Sequence, residues 1–390
     1  MINLNIKETT EKYIVPSYNR FDLAIVDGKG SLVYDDNGKE YIDLGSGIAV
    51  NAFGTADKEW NDAIIAQLSK VAHTSNLYYT SPQAELAKLL CEKTGMVNVF
   101  FGNSGAEANE CAIKAARKYS HDKYGDGRHT IITLKGSFHG RTITTLSATG
   151  QDEFHTDFAP FTRGFVHVTP NDFSELESVI KGGGIAAFMA ELIQGESGVN
   201  QLDKEYVKKA AKLCADNDIL FIADEVQTGN GRTGKLYCYM NYEIQPDIVT
   251  TAKGLGGGLP IGAALMGDKV KDTLGRGKHG STFGGNPICA VGALNVLNRI
   301  DDKLLASVTQ KGEYIKSELL FCKNVKSVSG MGLMLGIETE KSAKDIVAEC
   351  MKKGVLVLTA KNKVRLLPAL NIDEDILMKA ITILKGIIES

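Results

Sequence analysis

Two rhythms of apolar residues alternate along the chain. Short runs with almost no charge cover Val97–Phe101, Ile131–Leu134, Ala186–Glu191, Ile219–Ala223 and Ile248–Thr251. They are too short for buried helices and too continuously apolar for strands with one wet face, so they predict strands buried on both sides. Between them, apolar positions spaced by three and four predict amphipathic helices over Trp60–Lys70, Gln83–Lys93, Ala106–Lys118, Lys204–Asp216 and Pro287–Arg299. Strand and helix in alternation predict an α/β architecture, a mostly parallel sheet with helices on both faces.

The two ends read differently. Before residue 50, strands over Ser31–Tyr34 and Lys39–Asp43 flank Asn37-Gly38, a strong hairpin signal. After residue 300, a long helix Asp302–Leu320 leads to strands near Val325–Ser329 and Leu333–Glu338. A helix Ala343–Lys352, strands Val355–Leu358 and Val364–Pro368 and a last helix from Asp373 follow. We therefore expect residues 1–54 to form an arm and part of a small α+β domain, 55–300 a large domain, and 301–390 the rest of the small domain.

Composition narrows the function. The 390 residues carry a net charge of -3 and no long basic block, which argues against nucleic acid or an anionic membrane surface as partner. The short cluster Lys361-Asn362-Lys363-Val364-Arg365 reads as a solvated strand end. Seven cysteines without a CxxC pair read as reduced thiols of a cytoplasmic protein. No run reaches the ~20 apolar residues of a membrane span, and the N-terminus shows no signal-peptide anatomy.

Three segments carry chemistry. In Phe100-Phe101-Gly102-Asn103-Ser104-Gly105-Ala106-Glu107 a strand meets a glycine turn and a helix start, and Ser104 to Glu107 fits a capping box. The free N–H groups there make a phosphate cradle or, equally, an ordinary capped helix. In Ala223-Asp224-Glu225-Val226-Gln227 two carboxylates end a buried strand, where open α/β sheets bind ligands. An ionised Asp224 there needs a cationic partner such as a protonated pyridine nitrogen; metal binding or helix capping are the other uses of such a pair. No His/Cys cluster accompanies it, so no metal site is expected. In Thr250-Thr251-Ala252-Lys253-Gly254-Leu255-Gly256 a lysine stands between an apolar strand and a glycine-rich loop. Desolvation would lower its pKa and make Lys253 a usable amine nucleophile and base. The segment Gly229-Asn230-Gly231-Arg232-Thr233-Gly234 matches G-x-G-x-x-G, but it does not open a helix directly after a strand, so no nicotinamide cofactor is expected.

Taken with Ser137-Phe138-His139-Gly140-Arg141, Gln194-Gly195-Glu196 and Gly280-Ser281-Thr282-Phe283-Gly284-Gly285-Asn286-Pro287, these segments resemble the class III aminotransferases of pyridoxal-phosphate fold type I. The likeness runs from about Arg20 to the C-terminus. It implies pyridoxal 5'-phosphate as cofactor, held by Lys253 as a Schiff base. It places the phosphate on Ser104, Gly105 and Ala106, the ring face on Phe138 and the ring nitrogen on Asp224. Gln227 would lie near the ring hydroxyl, with Glu225 and Val226 in the same cofactor-binding stretch. It also implies a homodimer in which Thr282 reaches the neighbouring subunit's phosphate.

Within the family the likeness is nearest to the compact branch acting on N-acetylornithine. That implies Arg141 and Ser281 on the acetylated substrate, and Arg365 on the α-carboxylate of glutamate or 2-oxoglutarate. Glu196 would pair with Arg365 in one half-reaction and withdraw in the other, and the pathway would be arginine biosynthesis. Sister enzymes for ornithine, succinylornithine, 4-aminobutyrate or a carrier-bound lysine share this core, and a racemase or mutase on the same scaffold stays open. Leu192 stands where the family tends to have proline, and Thr55-Ala56-Asp57 where it tends to have a histidine pair.

Overall fold

The computed structural model describes residues 5–390. The reading of Met1–Leu4 as part of an N-terminus without a signal lies outside them. A seven-stranded sheet forms the centre, in the order Asn98–Gly102, Gly262–Met266, Ile248–Thr251, Leu220–Asp224, Ile185–Ala190, Thr130–Leu134, Phe165–Val168. Only Gly262–Met266 runs against its neighbours. All six other strands therefore point their C-terminal ends to one edge, where the segments after them converge.

The five inner strands are buried on both faces by alternate side chains, while the edge strands Asn98–Gly102 and Phe165–Val168 are partly exposed. Ile131, Ala187, Met189, Leu220, Ile222, Ile248 and Ala264 face the helix Gly105–Tyr124, which meets them with Cys111, Ala112, Ala115 and Ala116. These small residues let the helix lie close. Ile132, Phe188, Phe221, Ala223, Val249, Ala263 and Leu265 join the larger core on the other face.

Among the strands that escaped the pattern reading are Ile25–Lys29, Phe165–Val168, the short pair Ile193–Gln194 and Asn200–Gln201, and Gly262–Met266. The last, Gly-Ala-Ala-Leu-Met, is built for space rather than β propensity, because a side chain at Gly262 would run into the Ser104 carbonyl. The short helix Ile143–Ala148 and the helix Phe173–Lys181 also went unread.

The chain ends meet. Leu32–Asp35 pairs antiparallel with Glu40–Asp43 across Gly38, whose φ is +79°. Val355–Leu356 adds to Glu40–Asp43 in parallel, so the C-terminal segment does pack on the N-terminal meander. A second four-stranded sheet runs Val325–Met331, Met334–Thr339, Lys363–Leu366, Leu358–Ala360, with the helices Asp302–Leu320 and Ala343–Lys352 against it and Glu374–Glu389 packed on both helices. Leu367 N donates to Leu44 O at 2.7 Å and Leu370 N to Ala52 O at 2.8 Å, which ties the segment after Arg365 to the N-terminal residues.

The G-x-G-x-x-G segment is a buried knot. Asn230 Nδ2 bonds Thr251 Oγ1 and Ala252 O, and the Arg232 guanidinium donates to the carbonyls of Leu333 and Pro368. Its glycines make room for Leu370, Ile300 and Thr309. Asp57, in the departure from the family's histidine pair, caps the helix Lys58–Leu68 and pairs with Arg299 at 2.6 Å. Among the described residues all seven cysteines are free and no three metal-ligating side chains cluster. No helix there is long and apolar enough to cross a membrane.

Candidate active site

A cavity of about 460 Å3 opens at the converging strand ends. Ser104, Gly105, Ala106, Phe138, Arg141, Asp224, Val226, Gln227 and Lys253 line it, all named from the sequence. Asn109, His139 and Glu191 line it too; the sequence reading assigned them no part.

Lys253 follows the strand Ile248–Thr251 by two residues and has φ +46°. A left-handed backbone costs a non-glycine residue about 1–2 kcal/mol. Asn230, bonded to the Ala252 carbonyl at 3.1 Å, anchors the chain just before it. Burial pushes the Lys253 amine below the usual lysine range, and the Arg365 charge adds to this, against the opposing pull of Glu196, Glu191 and Asp224.

Asp224 ends the strand Leu220–Asp224 and is 3% exposed. Its Oδ2 accepts from Asn109 Nδ2 at 2.8 Å and faces His139 Nδ1 at 2.7 Å; its Oδ1 accepts from Val226 N at 3.0 Å. A carboxylate only accepts, so the imidazole proton belongs on Nδ1. Asn109 stands one turn inside the helix Gly105–Tyr124, and its amide also bonds the His139 carbonyl at 2.8 Å. The signal for Asn109 was its spacing of four from Gly105, which puts it on the cavity side of the helix.

The helix begins at Gly105 with Ser104 as cap. Ser104 Oγ accepts from Glu107 N at 3.2 Å, while the Glu107 carboxylate takes Asn103 N and Ser104 Oγ at 2.9 Å. The capping thus uses the Glu107 amide and leaves those of Gly105 and Ala106 outside the helix's own bonding. A Cβ at Gly105 would lie 2.6 Å from Val226 Cγ1, so only glycine lets the helix start approach the Asp224 loop this closely.

Arg365 and Glu196 are not among the cavity-lining residues but meet it through Gln227; Arg365 is 3% exposed on the strand Lys363–Leu366. Its Nη1 donates to Glu196 Oε1 at 2.7 Å, Gln227 Oε1 at 3.2 Å and Gly195 O at 3.3 Å. Burial pushes the Glu196 carboxyl up, but Arg365 outweighs it and holds Glu196 below the usual range. The reading of residues 361–365 as a solvated strand end holds for Lys361 and Asn362, which are exposed, and is overturned for Lys363, Val364 and Arg365, which are buried. Lys363 is 9% exposed and bonds Asn200 and Ser329, because its strand lies inside the second sheet.

Other predicted residues lie around this centre. The Arg141 guanidinium is exposed at the rim, 4.2 Å from the Phe154 ring centroid and 5.4 Å from that of Phe138. Ser281 Oγ accepts from Asn103 Nδ2 at 3.2 Å. Thr282 is exposed and is not among the cavity-lining residues of its own chain. The Glu225 carboxylate is turned out of the cavity. It accepts from Thr228 Oγ1, Cys238 N and Tyr239 N, and burial pushes it up to about 7. Glu191 points inward instead, accepting from Phe138 N at 2.7 Å and Gly195 N at 3.3 Å.

A helix start for a phosphate, a desolvated amine, a buried carboxylate and an aromatic face around one cavity fit pyridoxal phosphate, which has an anion, an aldehyde and a basic ring nitrogen. The glycine cradle at Gly105 is the most specific part of that fit.

The sequence profile of the family "Aminotransferase class-III" matches residues 13–388. The chain is 51% identical to an acetylornithine aminotransferase of Haemophilus ducreyi over 100% of this chain and 99% of that one. It is 44% identical to one of Caldanaerobacter subterraneus over 97% and 98%. Among solved structures it resembles the ornithine aminotransferase of Toxoplasma gondii, described with partial occupancy of pyridoxal phosphate at its active site. The TM-score there is 0.94 at 31% identity, covering 98% and 93% of the two chains. Cofactor-binding geometry and sequence likeness over nearly the whole length agree: this chain belongs to the class-III aminotransferase family and uses pyridoxal phosphate.

Proposed function

We propose that the chain transfers the δ-amino group of N-acetylornithine to 2-oxoglutarate, giving N-acetylglutamate semialdehyde and glutamate. The observation that carries this reading is the Glu196–Arg365 pair beside Lys253. A cation 4% exposed is masked by a carboxylate 32% exposed, so the carboxylate is free to leave toward solvent while the arginine stays. One site can then take two substrates of different charge. The acetylornithine aminotransferases at 51% and 44% identity favour the acetylated amine.

Pyridoxal phosphate, when bound, supplies an electrophilic aldehyde and a ring that stabilises negative charge at the carbon bearing the amino group. Ser104, Gly105 and Ala106 would hold its phosphate, Phe138 its ring face, Asp224 the proton on its ring nitrogen and Gln227 its hydroxyl. Val226 would pack beside the ring, and Glu225 would brace the loop behind it. His139 and Asn109 orient Asp224 from below. Lys253 Nζ would hold the cofactor and, as a free amine, move the proton at the substrate carbon.

Arg141, with Ser281 nearby, would take the α-carboxylate of N-acetylornithine by its planar fork. With Glu196 on Arg365 the net charge beside Lys253 suits an uncharged distal carbon. With Glu196 withdrawn, Arg365 receives the α-carboxylate of 2-oxoglutarate. In a homodimer Thr282 would reach the second copy's phosphate site. On this reading the enzyme works in the cytoplasm, in arginine biosynthesis.

The test is the visible spectrum of the purified protein with pyridoxal phosphate. N-acetylornithine should bleach the yellow band and 2-oxoglutarate should restore it. Bleaching by ornithine or succinylornithine alone would replace the substrate. A protein that stays colourless would overturn the assignment, starting with Lys253.

A further inference from the structure

The hairpin Ile193–Gln194 with Asn200–Gln201 carries Gly195 and Glu196. Its stem is a separate two-stranded sheet tied to segments of the large domain: Tyr242 Oη donates to Leu192 O at 3.0 Å and Leu202 O at 2.9 Å, and Gln194 Nε2 to Lys135 O at 3.0 Å. Its tip enters the second sheet. Val199 is 0% exposed and has φ +53°, an outlier for a β-branched residue. Two glycines open the space it fills: a Cβ at Gly336 would lie 2.9 Å from Val199 Cβ, and one at Gly330 would lie 3.0 Å from Cγ1. Beside this plug, Lys363 Nζ bonds Asn200 Oδ1 at 3.3 Å and Ser329 Oγ at 3.0 Å. Lys363 stands two residues before Arg365 on the same strand.

We propose that the Val199 plug and the Lys363–Asn200 contact form a positioning joint that keeps Arg365 in place during the dicarboxylate half-reaction. The inference rests on the two-substrate reading above. While Glu196 is on Arg365, their ion pair itself bridges the hairpin and the strand. When Glu196 withdraws, that bridge is gone at the moment when Arg365 must meet a carboxylate. Arg365 then keeps Gln227 Oε1 on the large-domain side, and the links left between hairpin and strand are Gly195 O on Arg365, the buried plug and Lys363 on Asn200. A loosened joint therefore harms the half-reaction that lacks the ion pair more than the half that has it. A backbone strained at Val199, three residues from Glu196, has a purpose on this account.

The test measures each half-reaction of the holoenzyme separately by absorbance, in V199G and in K363M. Glycine adopts φ +53° freely, so V199G removes the plug without new strain. K363M keeps the plug and removes the polar link. Both should lower the second-order rate with 2-oxoglutarate by roughly tenfold and change the N-acetylornithine rate by no more than about twofold. Hydrogen exchange supplies a readout that needs no turnover. Glutarate, an unreactive dicarboxylate, should speed exchange of amides 194–201 in V199G and leave the wild type unchanged.

Equal losses in both half-reactions, or exchange that ignores glutarate in V199G, would reduce the joint to ordinary packing. If the wild type does not react with N-acetylornithine, the substrate reading fails by itself. The exchange experiment still decides the joint.

Discussion

Two walls of the site, the cavity itself and the Arg365–Glu196 pair that meets it through Gln227, are built by different means. The wall bearing Ser104, Asp224 and Lys253 comes from segments at the C-terminal ends of strands in one sheet. Each of its residues sits within two positions of a strand end, and strand direction alone aims it inward. The wall bearing Arg365 depends on one long-range meeting: Arg365, on a strand of the second sheet, and Glu196, in a hairpin turn, are 169 residues apart. A wall made by a sheet is held by the whole core, whereas a wall made across a seam is held by a few side chains. On the proposed function, chemistry common to both half-reactions lies on the first wall, and selection between substrates on the second.

The largest effect should come from the first wall. Lys253→Ala should lower both half-reactions about 10^4-fold and abolish the yellow band, because on the proposed function one amine serves as holder and proton carrier. A variant that kept its colour would break the comparison at its strongest point. Arg365→Ala should act on one half only. The rate with 2-oxoglutarate should fall roughly 100-fold, the loss of a buried charge-assisted pair, and the amine half far less. Equal loss in both would mean that the far wall does not select.

Gly105→Ala should weaken cofactor binding by about tenfold, since the new methyl would meet Val226 Cγ1 at 2.6 Å. Adding Val226→Ala should restore part of that affinity, and no rescue would separate the cradle from the Asp224 loop.

The smallest and most diagnostic effect is on stability against pH. Burial pushes Glu191 up to about 7, whereas Arg365 holds Glu196 below its usual value despite burial. A raised carboxyl binds more protons folded than unfolded, so its contribution is present at low pH and lost as pH rises toward 7. A lowered carboxyl contributes above its unfolded value and loses this as pH falls. Melting temperatures of Glu191→Gln should therefore flatten the decline between about pH 5 and 7. Those of Glu196→Gln should flatten the decline below about pH 4.5. Interchanged slopes would show that the charges of the two walls had been misread.

Local physics left a clear trace in the amino-acid order. Apolar runs between helical periods were enough for the α/β layers, and the glycine turn before Ala106 marked the cradle. The bounds of Lys204–Asp216, Ile248–Thr251, Pro287–Arg299 and Ala343–Lys352 were legible to the residue. Each is set by interactions within a few positions: a period of burial, a cap or a breaking glycine. Asp224 and Lys253 were legible because a charge at the end of an apolar strand is costly to desolvate and so marks a place where a partner must meet it.

The tertiary structure alone decided the rest. It turned Glu225 away and Glu191 inward, although both are acidic residues next to buried strands, because the backbone amides of Cys238 and Tyr239 fold back onto one and those of Phe138 and Gly195 onto the other. It buried Lys363 beside Asn200, 163 positions away. It also allowed a strand as weak in propensity as Gly262–Met266, since a sheet needed that space. Burial and partner are properties of segments that meet only after folding, and no local pattern encodes which distant segment arrives.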